Sequence, residues 1–156
     1  MNTRFRTKVF FGSLAAAAVS LVVAATLISW QESARQRSLI EERITNDALL
    51  VAELLKQSGL RGIDDLDAEP DRLGRYSEAR VTFVAPDGRV VGDSTQSGAA
   101  LAALENHGQR PEIAEARQNG RGIAVRYSTT VGTDMLYVAP RTDHPEVAFV
   151  GLALAL

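Results

Sequence analysis

The sequence predicts an α+β chain: an N-terminal transmembrane helix continuing into a long helix, then a five-stranded antiparallel sheet with helices. Three observations predict it. Val9 to Trp30 is a run of 22 residues without a charge, and a helix needs about 20 apolar residues to cross a bilayer core. Ile40, Ile44, Ala48, Val51, Leu54 and Leu55 then recur at helical spacing, within about a third of the circumference. From Arg80 onward the period changes to alternation, with β-branched and aromatic residues bounded by Pro-Asp-Gly, Asn-Gly and Val-Gly turns.

The 156 residues are enough for one domain of ordinary size. Seventeen basic against 19 acidic residues give a net charge of −2, which argues against nucleic acid as a partner. The absence of cysteine excludes a disulfide scaffold, a thiolate metal site and a cysteine nucleophile. Arg4, Arg6 and Lys8 precede the apolar run, with no acid among residues 1–8, whereas residues 31–45 balance three arginines with three glutamates. The positive-inside rule therefore puts residues 1–8 in the cytoplasm, 9–30 across the lipid bilayer of the inner membrane, and 31–156 outside. The apolar core is longer than that of a signal peptide and runs into a helical pattern without a break, so it reads as an uncleaved anchor. The exterior part carries 14 basic and 19 acidic residues, a net charge of −5. Without disulfides it must rest on a packed core.

Residues 32–57 read as one helix, continuous with the span because no Gly or Pro lies between Gly12 and Gly59. Its apolar arc is a candidate homodimer seam, although part of it must also cover the sheet. Asp47 falls inside the arc, where it either pairs with Arg43 or is tolerated in a helix–helix seam. Ser58-Gly59 ends the helix. An acidic segment follows, with a short helix around Leu66 to Leu73; its acids suit a helix start, and their spacing is not that of a calcium loop. Arg80–Ala85 and Arg89–Val91 form a hairpin across Pro86-Asp87-Gly88, where Pro fixes φ and Gly takes the positive-φ position. Residues 92–109 are loop-like, with a candidate short helix at Ala99–Leu104. Pro111–Gln118 reads as a helix with Pro in its first turn and Asn119-Gly120 past its end. Gly122–Thr130 and Thr133–Ala139 pair across Val131-Gly132, and Glu146–Leu156 is a last, central strand. The chain reaches Leu156 inside that apolar run without a polar cap, the expectation for a fragment of a longer protein.

Arg80-Val81-Thr82-Phe83-Val84-Ala85-Pro86-Asp87-Gly88-Arg89-Val90-Val91-Gly92-Asp93-Ser94 resembles the opening of the extracytoplasmic domain of phosphate-regulon-type sensor histidine kinases. Glu105-Asn106-His107, Arg110-Pro111-Glu112, Gly120-x-Gly122, Arg126-Tyr127-Ser128 and Met135-Leu136-Tyr137-Val138-Ala139 follow in the family's order and at its approximate spacing. The resemblance implies a single-Cache-like, PAS-related sensor fold, its five-stranded sheet carried on a long helix rising from the membrane. It also implies control through phosphate-transporter components rather than through a ligand of this domain. The family's second span, HAMP-like linker, phosphoacceptor histidine box and glycine-rich ATP lid are not found in the sequence. The expected function is thus the membrane-anchored input module of a two-component kinase, not itself an enzyme. The alternative is a stand-alone membrane-anchored binding or interaction protein with a PAS-like domain.

Three sets of residues are candidates for chemistry. Ala124, Arg126 and Ser128 share one face of their strand, opposite Ile123, Val125 and Tyr127. If the apolar set packs on helices, Arg126 and Ser128, with Tyr137 from the next strand, form an exposed ligand site for a carboxylate or phosphate. The structural alternative pairs Arg126 with an acid such as Asp134. Asn106, His107, Arg110, Pro111 and Glu112 sit where a loop enters a helix; with Asp87 and Gly88 in the turn they read as structural, and no metal-ligand spacing is apparent. Asp93 and Ser94 with His107 invite a hydrolase reading, but no Gly-x-Ser-x-Gly elbow surrounds Ser94. No cofactor is expected.

Overall fold

A computed structural model of the chain describes residues 3–128 and 131–156, with side chains from residue 10 onward except those of residues 33 and 34. The end of the expected strand Gly122–Thr130, at Thr129 and Thr130, lies outside the described residues. The first element, α1, spans Thr3–Ser58, and the chain divides into two units, residues 1–40 and 41–156.

In the first unit, α1 presents Phe10, Phe11, Leu14, Leu21, Val22, Leu27, Ile28 and Trp30 as exposed side chains. By length and composition α1 is apolar enough to cross a membrane. Its hydroxyls suit such surroundings because they bond back along the helix: Ser13 to the Phe10 carbonyl, Ser20 to Ala16 and Thr26 to Val22, at 2.9, 2.9 and 2.7 Å.

The second unit is built on one sheet. The strands are β1 (Arg80–Val84), β2 (Val90–Asp93), β3 (Arg121–Ser128), β4 (Thr133–Pro140) and β5 (Phe149–Ala155). Their order across the sheet is β2-β1-β5-β4-β3, antiparallel throughout. The apolar run at the C-terminus is the central strand, as its composition predicts. It begins at Phe149 rather than at Glu146. The N–H groups of Glu146 and Val147 donate to His144 Nδ1, both at 3.2 Å, and so cannot serve a neighbouring strand.

Strand pairing sorts the side chains into two faces. Val81, Phe83, Val138, Val150 and Leu152 share one, all buried. On that side α2 (Ile63–Ser77) crosses β2 so closely that a Cβ on Gly92 would overlap the Leu66 carbonyl oxygen. Pro70, which has no N–H to give that carbonyl, lies one turn on. The helix is longer than the span Leu66–Leu73 expected from sequence; Asp64 and Asp65 extend its first turn. Ile44, Ala48, Val51 and Leu55 of α1 are buried, so most of the expected arc is consumed within the protomer, while Leu54 is left exposed and Asp47 lies 3.8 Å from Arg43.

The other face packs against α4 (Pro111–Asn119), whose Ile113 and Ala116 join Val84, Ala139 and Phe149 in a buried cluster. A short helix, α3 (Gly98–Ala102), precedes it. Here too a glycine sets the approach, since a Cβ on Gly122 would overlap the Glu112 carbonyl oxygen. Gly122→Ala therefore forces α4 away from β3. A loss of about 1–3 kcal/mol in denaturant unfolding is expected, against a change within about 0.5 kcal/mol for an alanine at exposed Gln118.

Candidate functional site

The α4 face of the sheet begins with a carboxylate. Asp93, fully buried at the end of β2, pairs across the hairpin with Thr82. It accepts from Arg80 Nε at 3.0 Å, Thr82 Oγ1 at 2.7 Å, Thr95 Oγ1 at 2.6 Å and the Thr95 N–H at 2.9 Å, and Arg80 NH2 lies 2.9 Å away. Burial alone would raise its pKa. Hydrogen bonds from Thr95, Arg80 and Thr82, with the charge of Arg80, outweigh that and hold it below the ordinary carboxylate range.

The loop before α4 is tied to the β1–β2 turn. Gly88 has φ +87°, and the His107 N–H donates to its carbonyl at 2.8 Å. Asn106 donates to the Asp87 carbonyl at 2.9 Å and accepts from the Gly108 N–H at 2.8 Å. Asp87 is held below its usual range by Arg89, which donates through its side chain and its backbone. Arg110 stands at the N-cap of α4 and reaches Glu105 at 2.7 Å, with Pro111 in the first helical position. His107 is buried, and its Nδ1 lies 2.8 Å from the Glu105 carbonyl oxygen. Burial and the nearby Arg110 push its pKa down to about 4.

Glu112 and Arg126 complete the cluster. Arg126 NH2 donates to Glu112 Oε1 at 3.1 Å, and the guanidinium lies 3.6 Å from the centre of the Tyr137 ring. The alternation read from the sequence is right, but the assignment of faces is reversed. Val125 and Tyr127 are 59% and 61% exposed, and the Arg126 face is the one under α4. The partner of Arg126 is Glu112, not Asp134. A strand of the edge pair, with Gly122 and Ala124 on its inner side, offers no apolar contrast from which the inner face can be read. Ser128 does not join the site; its Oγ accepts from the Val131 N–H at 3.3 Å in the β3–β4 turn. Ser94 Oγ accepts from the Val81 N–H at 3.0 Å, and Asp93 is engaged by Arg80, so these residues do not form a triad with His107.

A cavity of about 30 Å³ remains, walled by Arg80, Thr82, His107, Arg110, Glu112 and Tyr137 among others. Arg80 and Thr82 were not singled out from the sequence as site residues. Their alternate positions in β1, opposite Asp93, are the signal that carries them.

Arg126→Ala would strand Glu112 in the interior with both carboxylate oxygens unpaired. Because Arg126 itself is partly exposed, the expected loss is near the low end for a buried pair, about 3 kcal/mol by denaturant melt. Arg126→Met with Glu112→Leu should recover most of it.

His107 gives a pH prediction. Its folded pKa of about 4 lies below the unfolded value of 6.5, so between those pH values the unfolded chain binds the extra proton. The neutral ring's contribution is complete above pH 6.5 and is lost as pH falls toward 4. Replacing His107 by Gln should flatten the stability–pH curve in that window by up to about 1.4 kcal/mol per pH unit.

Comparison with known proteins follows this geometry. Residues 34–147 match the family described as Single Cache-like. Among solved structures, the sensory domain of the Campylobacter jejuni chemoreceptor Tlp3 (CcmL) is similar, with a TM-score of 0.51 and 15% identity. The match covers 78% of this chain and 53% of that one, so the chain spans about half the length of its relative, and the likeness is one of fold. No curated protein sequence matches the chain.

Proposed function

On the premise that this chain belongs to the Single Cache-like family, we propose that it is the extracytoplasmic input module of a membrane-anchored two-component sensor histidine kinase. The observation that carries this reading is the succession of an apolar helix, long enough to cross a membrane, and a Cache sensory domain. The phosphate-response type is the sub-class favoured by the ordered motifs from Arg80 to Ala139, with transporter components as partners. The cytoplasmic end is residues 1–8, on the charge difference across residues 9–30, and the membrane is the inner one. The chain supplies no phosphoryl-transfer chemistry of its own in this reading.

The proposal includes a homodimer along α1. Ile44, Val51 and Leu55 are buried inside the protomer and cannot form the seam. Leu50 and Leu54, at the flank of that buried arc, are exposed and supply it instead. The natural absence of cysteine makes the test clean. Single cysteines at 50 and 54 should cross-link in membranes of oxidised cells, those at 48 and 55 should not, and the yield should change with phosphate supply. A yield independent of phosphate would refute the phosphate response; no cross-linking at 50 or 54 would refute the seam.

A further inference from the structure

The cavity under α4 has an imbalance among its hydrogen-bonding groups. Its cations are already neutralised: Arg80 by Asp93, Arg110 by Glu105, and Arg126 behind it by Glu112. Among the described residues, two acceptors of residues in its wall are not satisfied, and the one unpartnered donor nearby, Arg126 Nε, belongs to a residue outside that wall. His107, 3% exposed, has Nδ1 at 2.8 Å from the Glu105 carbonyl oxygen. A carbonyl only accepts, so Nδ1 carries the hydrogen and Nε2 presents a lone pair. That Nε2 is buried without a partner. Glu112, 4% exposed, gives Oε1 to Arg126, while its Oε2 is also buried without a partner. A buried acceptor left unmatched is costly, and the cost is removed by a donor.

We propose that this cavity binds a small hydrogen-bond donor, the ammonium head of a primary amine, between His107 Nε2 and Glu112 Oε2. The size agrees: about 30 Å³ admits a group of one or two heavy atoms. The charge agrees as well. A phosphate or carboxylate would set its own lone pairs against two buried acceptors, and the guanidinium groups that would offset this already hold carboxylates. A neutral His107 near pH 7, which its burial and Arg110 enforce, keeps Nε2 an acceptor. The inference deepens the input-module reading, on which it rests only for the amine's role as a stimulus; binding itself is independent of it.

The test uses the full chain in detergent micelles at pH 7, melted in methylammonium chloride, tetramethylammonium chloride, sodium phosphate or sodium chloride at equal ionic strength. Methylammonium should raise the midpoint saturably, by about 5 °C. Tetramethylammonium, equal in charge but without N–H donors, should not. Glu112→Gln and, separately, His107→Phe should abolish the shift. Should either variant fail to fold, the imidazole nitrogen resonance of His107 in the unmodified chain serves instead: methylammonium should move it and tetramethylammonium should not. Equal shifts from the two cations, a larger shift from phosphate, or no shift with an unmoved resonance would overturn the proposal. Amine binding that leaves α1 cross-linking in cells unchanged would support this site while counting against the input-module reading.

Discussion

The fold turns on the burial of β5 from both sides. Val150 and Leu152 are buried on one face of the sheet, and Phe149 and Ala153 on the other. A central strand of this kind is stable only if both faces are covered, because each large apolar side chain returned to water costs roughly 1.5–3 kcal/mol. One layer comes from α1 and α2, the other from α4 and the loop before it. The order β2-β1-β5-β4-β3 follows from this demand. The most apolar segment takes the middle, and the two hairpins, each with a glycine turn at positive φ, flank it.

The two layers are not equivalent. Both approach the sheet through a glycine, Gly92 under α2 and Gly122 under α4, so backbone lies on backbone at each contact. Beyond that contact the α1–α2 layer is filled by Leu66, Leu73, Val51 and Leu55. The α4 layer has an apolar half, around Ile113 and Phe149, and a polar half that holds Asp93, His107 and Glu112 out of water. Two of these three acids and bases keep a buried atom unpartnered. A polar group is retained in such a place at a cost to stability, and functional sites are one place where such costs are kept.

Much of this was legible in the sequence, and the exceptions have a common cause. The end of α1 at Ser58, the Pro-Asp-Gly turn, the Pro at the start of α4 and the central position of the last strand all follow from local chemistry that no partner alters. The faces of β3 did not follow. Ile123, Val125 and Tyr127 look like the inner set by hydrophobicity, yet an edge strand leaves its outer side to solvent, and the residues under α4 are chosen for size, as Gly122 is. The pairing of Arg126 with Glu112 spans 14 positions and depends on where α4 lies, which alternation alone does not encode. Likewise nothing local marks His144 as the residue that delays the start of β5.

That histidine is also where the long helix meets the sheet. Its Nδ1 accepts two backbone N–H groups, and its Nε2 lies 3.0 Å from the Leu60 carbonyl oxygen just beyond α1 and 3.2 Å from Arg61 Nη1. Around it, Thr142 Oγ1 reaches the Ala52 carbonyl at 3.4 Å, Lys56 pairs with Asp143 at 3.4 Å, and the Glu146 carboxylate accepts the Gly62 N–H at 3.1 Å. The segment joining β4 to β5 is thereby fastened to the last turns of α1 at several points. β4 also carries Tyr137, against Arg126, and β5 carries Ala153, at the cavity wall. On the proposal of a ligand under α4, a change of occupancy would act on strands whose shared connection holds the end of the helix. Transmission to that end would then require no hinge, only a small displacement of packed strands, which close-packed interiors pass on rather than absorb.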